Sequence, residues 1–449
     1  MAQPQPYQPD PAILALGDGF FDPVEAAAFP DLKVRFFNRR WAERVGLGDA
    51  DAVAHFGRFA PLPDNLPQPL ALSYHGHQFR HYNPDIGDGR GFLFAQLRDD
   101  AGRLLDLGTK GSGQTPYSRF GDGRLTLKGG VREVLATEML EALGVDTSKS
   151  FALIETGEEL VRGDEPSPTR SAVLTRLSHG HVRIGSFQRP AFHEDAAKVS
   201  TLVSYSLRNL FGEESDDPVR LFALVAERTA TLAASYLAAG FVHGVLNSDN
   251  INITGESFDY GPWRFAPTWD EAFVAAYFDH GGLYAFGRQP EAIHWDLAQL
   301  GGCLALVAEG PELTEILNDW PARFEQALVA ALVSRLGIAP DEALDRDLVS
   351  VMLTLLRRQD TTIDRFFFDW RGGRVPDGGD ATLARLLGGR EPLPGALEHD
   401  YWRDDGPCSM HIEEVEAIWA AIANADDWDP FDAKIAAIRR MGEAMTLTS

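Results

Sequence analysis

The residues best suited to chemistry lie between Phe241 and Pro262, FVHGVLNSDNINITGESFDYGP, where two aspartates, three asparagines and a histidine stand between apolar anchors. Asn250 follows His243 by seven residues, and Asp259 follows Asn250 by nine, with the alternation of Ile251 and Ile253 between them. A divalent cation bridging phosphate oxygens takes hard oxygen ligands. A carboxamide and a carboxylate on the two arms of a tight hairpin supply them. The stretch therefore reads as a nucleotide-and-metal site with Asn250 and Asp259 as ligands.

The spacing is that of a protein-kinase catalytic loop running into its metal-binding turn. In such a loop the residue two after the histidine is the aspartate that takes the proton of the acceptor hydroxyl, but here it is Val245. A carboxylate stands nearby instead, at Asp249, immediately before Asn250. The metal ligands are kept and the base is displaced. The same string also reads as an Asn/Asp-rich loop whose side chains satisfy their own turn, so the rest of the chain must supply the phosphate-binding partners.

Those partners lie upstream. Gly87-Asp88-Gly89-Arg90 is a turn in which Gly87 and Gly89 let backbone amides approach an anion and Arg90 adds a positive fork, or else a plain hairpin turn. A second GDGR, Gly121 to Arg124, contributes Asp122 and Gly123, and the two copies flank a strand that ends in Lys110. In GGVREVLATEMLEAL, Val131, Val134, Leu135, Met139 and Ala142 recur at helical spacing, and Glu133 sits in the first turns off that stripe. A strand-end lysine held by a helix-borne glutamate is the kinase arrangement for a phosphate-binding lysine; a solvated carboxylate near a helix N-terminus is the other reading of Glu133. Arg176 and Arg183, seven apart across a His- and Gly-containing turn, could grip one phosphate tail together or stand separately on the surface.

Composition limits the partners. The chain has 449 residues, 44% hydrophobic, with 41 Lys+Arg against 66 Asp+Glu and a formal net charge of -25. Such a surface repels phosphate backbones, so neither nucleic acid nor an anionic membrane is expected as a partner. An anionic nucleotide binds only where local Lys and Arg override that field. MAQPQPYQPDPAILAL lacks the basic and apolar regions of a secretory signal, and no run reaches the ~18 apolar residues of a membrane helix. Two cysteines, Cys303 and Cys408, argue against a disulfide scaffold. A cytoplasmic protein is expected.

The elements that must position these residues fall into three segments. Residues 1–69 are Pro-rich and aromatic, with one amphipathic helix predicted over Lys33–Val45, and read as an extension wrapping the lobes. Residues 70–190 alternate short strands with Gly punctuation and include the helix after Gly129, an antiparallel sheet-rich N-lobe. Residues 191–449 are mostly helical, with Gly240 closing a helix just before the 241–262 loop. The fold class expected is α+β, a kinase-like bilobal plan with a nucleotide between the lobes.

KGSGQTPYSRFGDGR (Lys110 to Arg124), VRE (Val131 to Glu133), HGVLNSDNINITGESFDYGP (His243 to Pro262) and AAYFDHGGLYAFGRQP (Ala275 to Pro290) together resemble the selenoprotein O family of pseudokinases. The resemblance implies a kinase-like enzyme that binds ATP in an inverted pose and transfers AMP to Ser, Thr or Tyr hydroxyls of proteins. By position it implies that Gly87, Gly89, Arg90, Asp122 and Gly123 line the nucleotide pocket and that Lys110, paired with Glu133, holds the phosphates. It implies Arg176 and Arg183 on the terminal phosphates, Asn250 and Asp259 on Mg2+ or Mn2+, and Asp249 as base. Attack at the α-phosphorus needs just such a proton acceptor and positive charge on the departing pyrophosphate. Some family members carry selenocysteine or cysteine at the extreme C-terminus; MGEAMTLTS has none, so redox control through the tail is not expected. UTP as donor, and a catalytically silent ATP-binding scaffold, are the other readings of the same residues.

Overall fold

The computed structural model describes residues 6–163 and 165–446. Its organising layer is an antiparallel sheet. From one edge to the other the strands are Phe21–Pro23, Leu70–Leu72, Leu93–Arg98, Leu104–Lys110, Thr169–Ser178, Lys149–Leu160 and Lys33–Phe37, with the short Leu125–Thr126 paired to Thr169–Ser178. Strand Leu104–Lys110 is buried along its whole length, which follows from apolar layers on both sides. On one face Leu93, Leu153 and Leu174 pack with Leu127, Val131 and Leu135 of helix Leu127–Ala142. On the other, Phe92, Phe94, Leu105, Leu107 and Phe151 pack with Trp41, Phe56 and Phe59 from the first sixty residues. Full burial of one such aromatic contributes about 1.5–3 kcal/mol, so the N-terminal segment is a structural cover of the sheet.

The helix expected over Lys33–Val45 is instead a strand, Lys33–Phe37, followed by a short helix, Arg39–Arg44. Lys-Val-Arg-Phe-Phe alternates and is rich in β-formers, and the open edge of Lys149–Leu160 offers it a ladder, with Val34 opposite Ile154 and Phe37 opposite Ala152. Asn38 then caps the helix by accepting from Trp41 N.

Helix Leu127–Ala142 begins at Thr126, whose side chain accepts from Gly129 N. It is gripped from outside by the last helix, Asp429–Met445: Arg439 donates from Nε and Nη2 to Glu138 at 2.7 and 2.9 Å, and Gly442 lies against Ala142. The C-terminal end of the chain thus steadies the helix that carries Glu133.

The remainder is helical. Pro218–Ala239 and Gly310–Leu336 run together, with Trp320 Nε1 donating to Thr229 Oγ1 across the seam at 3.1 Å. Gly240, at φ +71°, turns the chain out of the first of these helices and into a two-stranded ribbon, Phe241–Val242 with Arg264–Phe265, whose arms enclose the Asp- and Asn-rich loop. The fold is α+β. Among the described residues no helix is long and apolar enough to cross a membrane, and Cys303 and Cys408 are both free thiols.

Candidate active site

One cavity of about 630 Å³ gathers most of the residues singled out above, a volume suited to a small-molecule ligand. Gly87, Gly89, Arg90, Lys110, Asp122, Gly123, Arg176, Arg183, Asp249 and Asp259 all line it. Glu133, fully buried, and Asn250, partly buried, do not.

Lys110 ends its strand almost fully buried, with Nζ 2.6 Å from Glu133 Oε2 and 2.8 Å from Asp259 Oδ1. Arg176, on the neighbouring strand, places Nη1 3.4 Å from Glu133 Oε1 and 3.3 Å from Asp259 Oδ1. Two cations therefore share two carboxylates, one sealed behind the sheet and one open to the cavity. Burial raises the Asp259 pKa, but the Lys110 ammonium, then the Arg176 and Arg90 guanidiniums, outweigh it and hold the carboxyl well below its usual range. Asp259 stays ionised. Its backbone is left-handed at φ +64°, uncommon for a residue with a side chain and a sign that packing dictates the turn.

Arg183 is held differently. Its guanidinium lies between the rings of Tyr74 and Phe258, 4.2 and 4.9 Å from their centroids. Nη1 donates to the Asp249 carbonyl at 3.0 Å, and Nη2 is 3.5 Å from Asp88 Oδ1. Arg90 makes no ion pair among the described residues, whereas Asp122 is tied to Arg162 at 2.8 Å and its role in the wall is shared with that pair.

Asp249 sits in a short 3-10 turn, Ser248–Asn250. Its Oδ1 is buried without a hydrogen-bond partner among the described residues, packed where any side chain at Gly76 would strike it, the nearest approach being 2.6 Å. Burial, with a smaller push from Asp259, lifts its pKa to about 6 against the pull of Arg183. Asn250 donates Nδ2 to the Val245 carbonyl at 3.0 Å, which leaves its carboxamide oxygen uncommitted. His243, fully buried, does not reach the cavity; its Nε2 donates to the Phe258 carbonyl at 2.9 Å and so fixes the backbone next to Asp259. Asp249, Asn250 and Asp259 offer oxygen donors of the hard kind that a divalent cation takes, although among the described residues no group of three or more His, Cys, Asp or Glu side chains is gathered closely enough to hold a metal ion by itself.

The glycines have a second purpose beyond amide exposure. A Cβ on Gly87 would lie 2.5 Å from the Tyr117 ring, and one on Gly89 3.0 Å from the Tyr117 carbonyl, so both let the 111–124 loop close over the first hairpin. Tyr117 is locked there by donating to Asp22. Tyr74, Asp88 and Tyr117 also line the cavity and are not apparent from sequence spacing; Asp88 stood inside the GDGR quartet as a mere turn residue.

A family model described as protein adenylyltransferase SelO matches residues 6–380. The chain belongs to this family. Among its relatives, a protein named protein nucleotidyltransferase YdiU from Synechocystis sp. is 42% identical, covering 94% of this chain and 96% of the relative. Proteins of the same name from Synechococcus elongatus and Rhodopseudomonas palustris are 41% and 34% identical, covering 98% and 94% of this chain and 96% and 91% of their own length. As a SelO family member the chain is an enzyme, a nucleotidyltransferase, and the cavity with Lys110, Arg176, Arg183 and Asp249 is its candidate active site.

Proposed function

We propose that this SelO family member transfers AMP from ATP to serine, threonine or tyrosine hydroxyls of proteins, releasing pyrophosphate, and that it does so in the cytoplasm on a kinase-like bilobal scaffold. Residues 70–190 serve as the N-lobe, 191–449 as the C-lobe, and 1–69 as the extension that covers them. The observation that carries the reading is Asp249, a carboxyl raised to about 6 in the wall of a cavity that also presents Arg90, Lys110, Arg176 and Arg183. A general base works best with a pKa near the operating pH.

In this reading the acceptor O–H gives its proton to an Asp249 carboxylate oxygen as its oxygen bonds to the α-phosphorus. The bond from that phosphorus to the bridging oxygen breaks, and pyrophosphate leaves with the electron pair. Lys110, Arg176 and Arg183 take up the charge on the leaving group by pre-set cationic donors, the arrangement that lowers such a barrier most. Val245 at the usual kinase base position leaves no carboxylate there for γ-phosphoryl transfer. Asn250 and Asp259 would hold Mg2+ or Mn2+, which when bound neutralises phosphate oxygens.

The test uses a generic protein acceptor with ATP labelled at the α or the γ position, and UTP labelled at α in parallel. Label retained from α-ATP and not from γ-ATP is the expected result. Retention from γ-ATP makes the protein a kinase, preferential retention from UTP makes it a uridylyltransferase, and no retention makes it a binding scaffold; each of these overturns the proposal.

A further inference from the structure

Behind the phosphate-gripping arginines lies a void of about 10 Å³ lined by Asp88, Gly108, Thr109, Arg176 and His181, with Phe92 and Leu93 closing it. That is about the smallest space that admits one water, and a buried water needs two to four polar partners. Two buried polar atoms of its lining residues, Arg176 Nε and His181 Nε2, have no partner among the described residues.

Their hydrogen-bonding roles follow from what lies on the other side. His181 Nδ1 is 3.1 Å from Asp106 Oδ2; a carboxylate only accepts, so Nδ1 carries the hydrogen, and in the neutral imidazole Nε2 is then the acceptor. Asp106 is itself pinned by Gln96 Nε2 at 2.7 Å. Arg176 Nε is a donor, and the Asp88 carboxylate is an acceptor. One water satisfies all three: it accepts from Arg176 Nε–H and donates one hydrogen to His181 Nε2 and the other to Asp88.

Gly108 gives independent support. It lies in the middle of a strand, where glycine usually marks a close approach, and a Cβ there would stand 2.6 Å from both His181 Cε1 and Nε2. It is also the cross-strand partner of Arg176. The strand thus gives up a side chain at this position so that the imidazole can reach the void.

We infer that His181, backed by Asp106 and admitted by Gly108, is a positioning residue that acts through one buried water to orient both pyrophosphate-binding arginines, Arg176 directly and Arg183 through Asp88. The inference rests on the nucleotide reading above. It assigns His181 no contact with substrate.

Calorimetric titration of wild type and variants with ATP and with AMP, in the same Mg2+ buffer, tests it, since only ATP has the terminal phosphates that the arginines would hold. His181→Asn keeps a donor for Asp106 but withdraws the acceptor from the void, and Gly108→Ala displaces the ring. Both are expected to weaken ATP about tenfold, the loss of roughly one charge-assisted hydrogen bond, with AMP affinity unchanged. His181→Gln, which returns an acceptor near the Nε2 position, is expected within about twofold of wild type. Wild-type ATP affinity in His181→Asn, or equal losses for ATP and AMP, overturns the inference. Arg176→Gln separates the two levels: if it loses ATP while His181→Asn does not, the water bridge alone is wrong, and if it too keeps ATP, the phosphate grip is wrong. A high-resolution crystal structure with no water peak between Arg176 Nε and His181 Nε2 also refutes it, whatever the variants do.

Discussion

Replacing Glu256 by glutamine should make the protein more stable, by a margin that grows as pH rises. Glu256 lies in the hairpin between Asn250 and Asp259, is buried, and accepts from His179 N at 2.9 Å. Burial first, then Asp146, raises its pKa from 4.5 to about 8 against the pull of Lys149 and Arg103. The folded state therefore binds a proton that the unfolded state releases between those two values, so stability falls as pH rises through the window and levels off above it. At about 1.4 kcal/mol per pH unit, the ionised carboxylate costs at most about 5 kcal/mol above pH 8. Glutamine keeps the acceptor for His179 N and carries no charge, so the variant should match wild type near pH 4.5 and exceed it by a growing margin up to pH 8. Urea unfolding of both proteins at pH 5 and pH 8.5, compared as differences, isolates this residue from other titrating groups. A difference that does not grow with pH, or a variant less stable at pH 8.5, refutes the reasoning.

Three predictions concern the site itself. Asp249→Asn should lower kcat by about 10²–10⁴, the usual contribution of a positioned base, while ATP affinity by calorimetry stays within a few-fold; a variant with near-normal turnover removes Asp249 from the chemistry. Lys110→Met removes one of two cations shared by Glu133 and Asp259 and leaves Glu133 buried with only Arg176. It should cost transfer activity at least about a hundredfold and also about 3–5 kcal/mol of stability, read by thermal unfolding; an unchanged melting temperature would mean the pair is not buried as described. Asp259→Ala should abolish the response of ATP binding to added Mg2+ or Mn2+, and a titration that still shows metal-enhanced binding counts against Asp259 as ligand.

The parts of this site legible in the sequence are those set by short-range rules. A strand-end lysine, a helix-borne glutamate off the apolar stripe, two arginines across one turn and the 243–259 loop are each recognisable within about twenty residues, and Lys110, Arg176, Arg183, Asp249 and Asp259 from them reach one cavity, whereas Glu133, His243 and Asn250 do not line it. Contacts made across long separations are not legible in this way. Tyr117 meets Asp22 and His181 meets Asp106 across 95 and 75 residues, and no periodicity announces either. Lys33–Phe37 failed for a different reason: Val34, Phe37 and Trp41 recur at helical spacing, yet Phe36 and Phe37 pack into different core layers once the segment pairs with the open edge of Lys149–Leu160, which decided between the two. The helix Ile184–Phe192, which starts at Arg183 and carries Pro190 inside, gave too short a pattern to read.

The same distinction explains how a chain of net charge -25 can hold a pocket for an anion. Glu133 is sealed away from the cavity, so its charge neutralises Lys110 and Arg176 from behind and makes their burial tolerable. Asp259 faces the cavity, where any charge it presents competes with a phosphate for those same cations. Glu133→Gln should therefore cost stability and shift Lys110 toward Asp259, weakening ATP binding, whereas Asp259→Asn should free the cations and strengthen metal-free ATP binding. Opposite signs in one binding assay would separate the carboxylate that builds the site from the one that works in it; equal signs would mean that the two are interchangeable and that the sheet does not partition them.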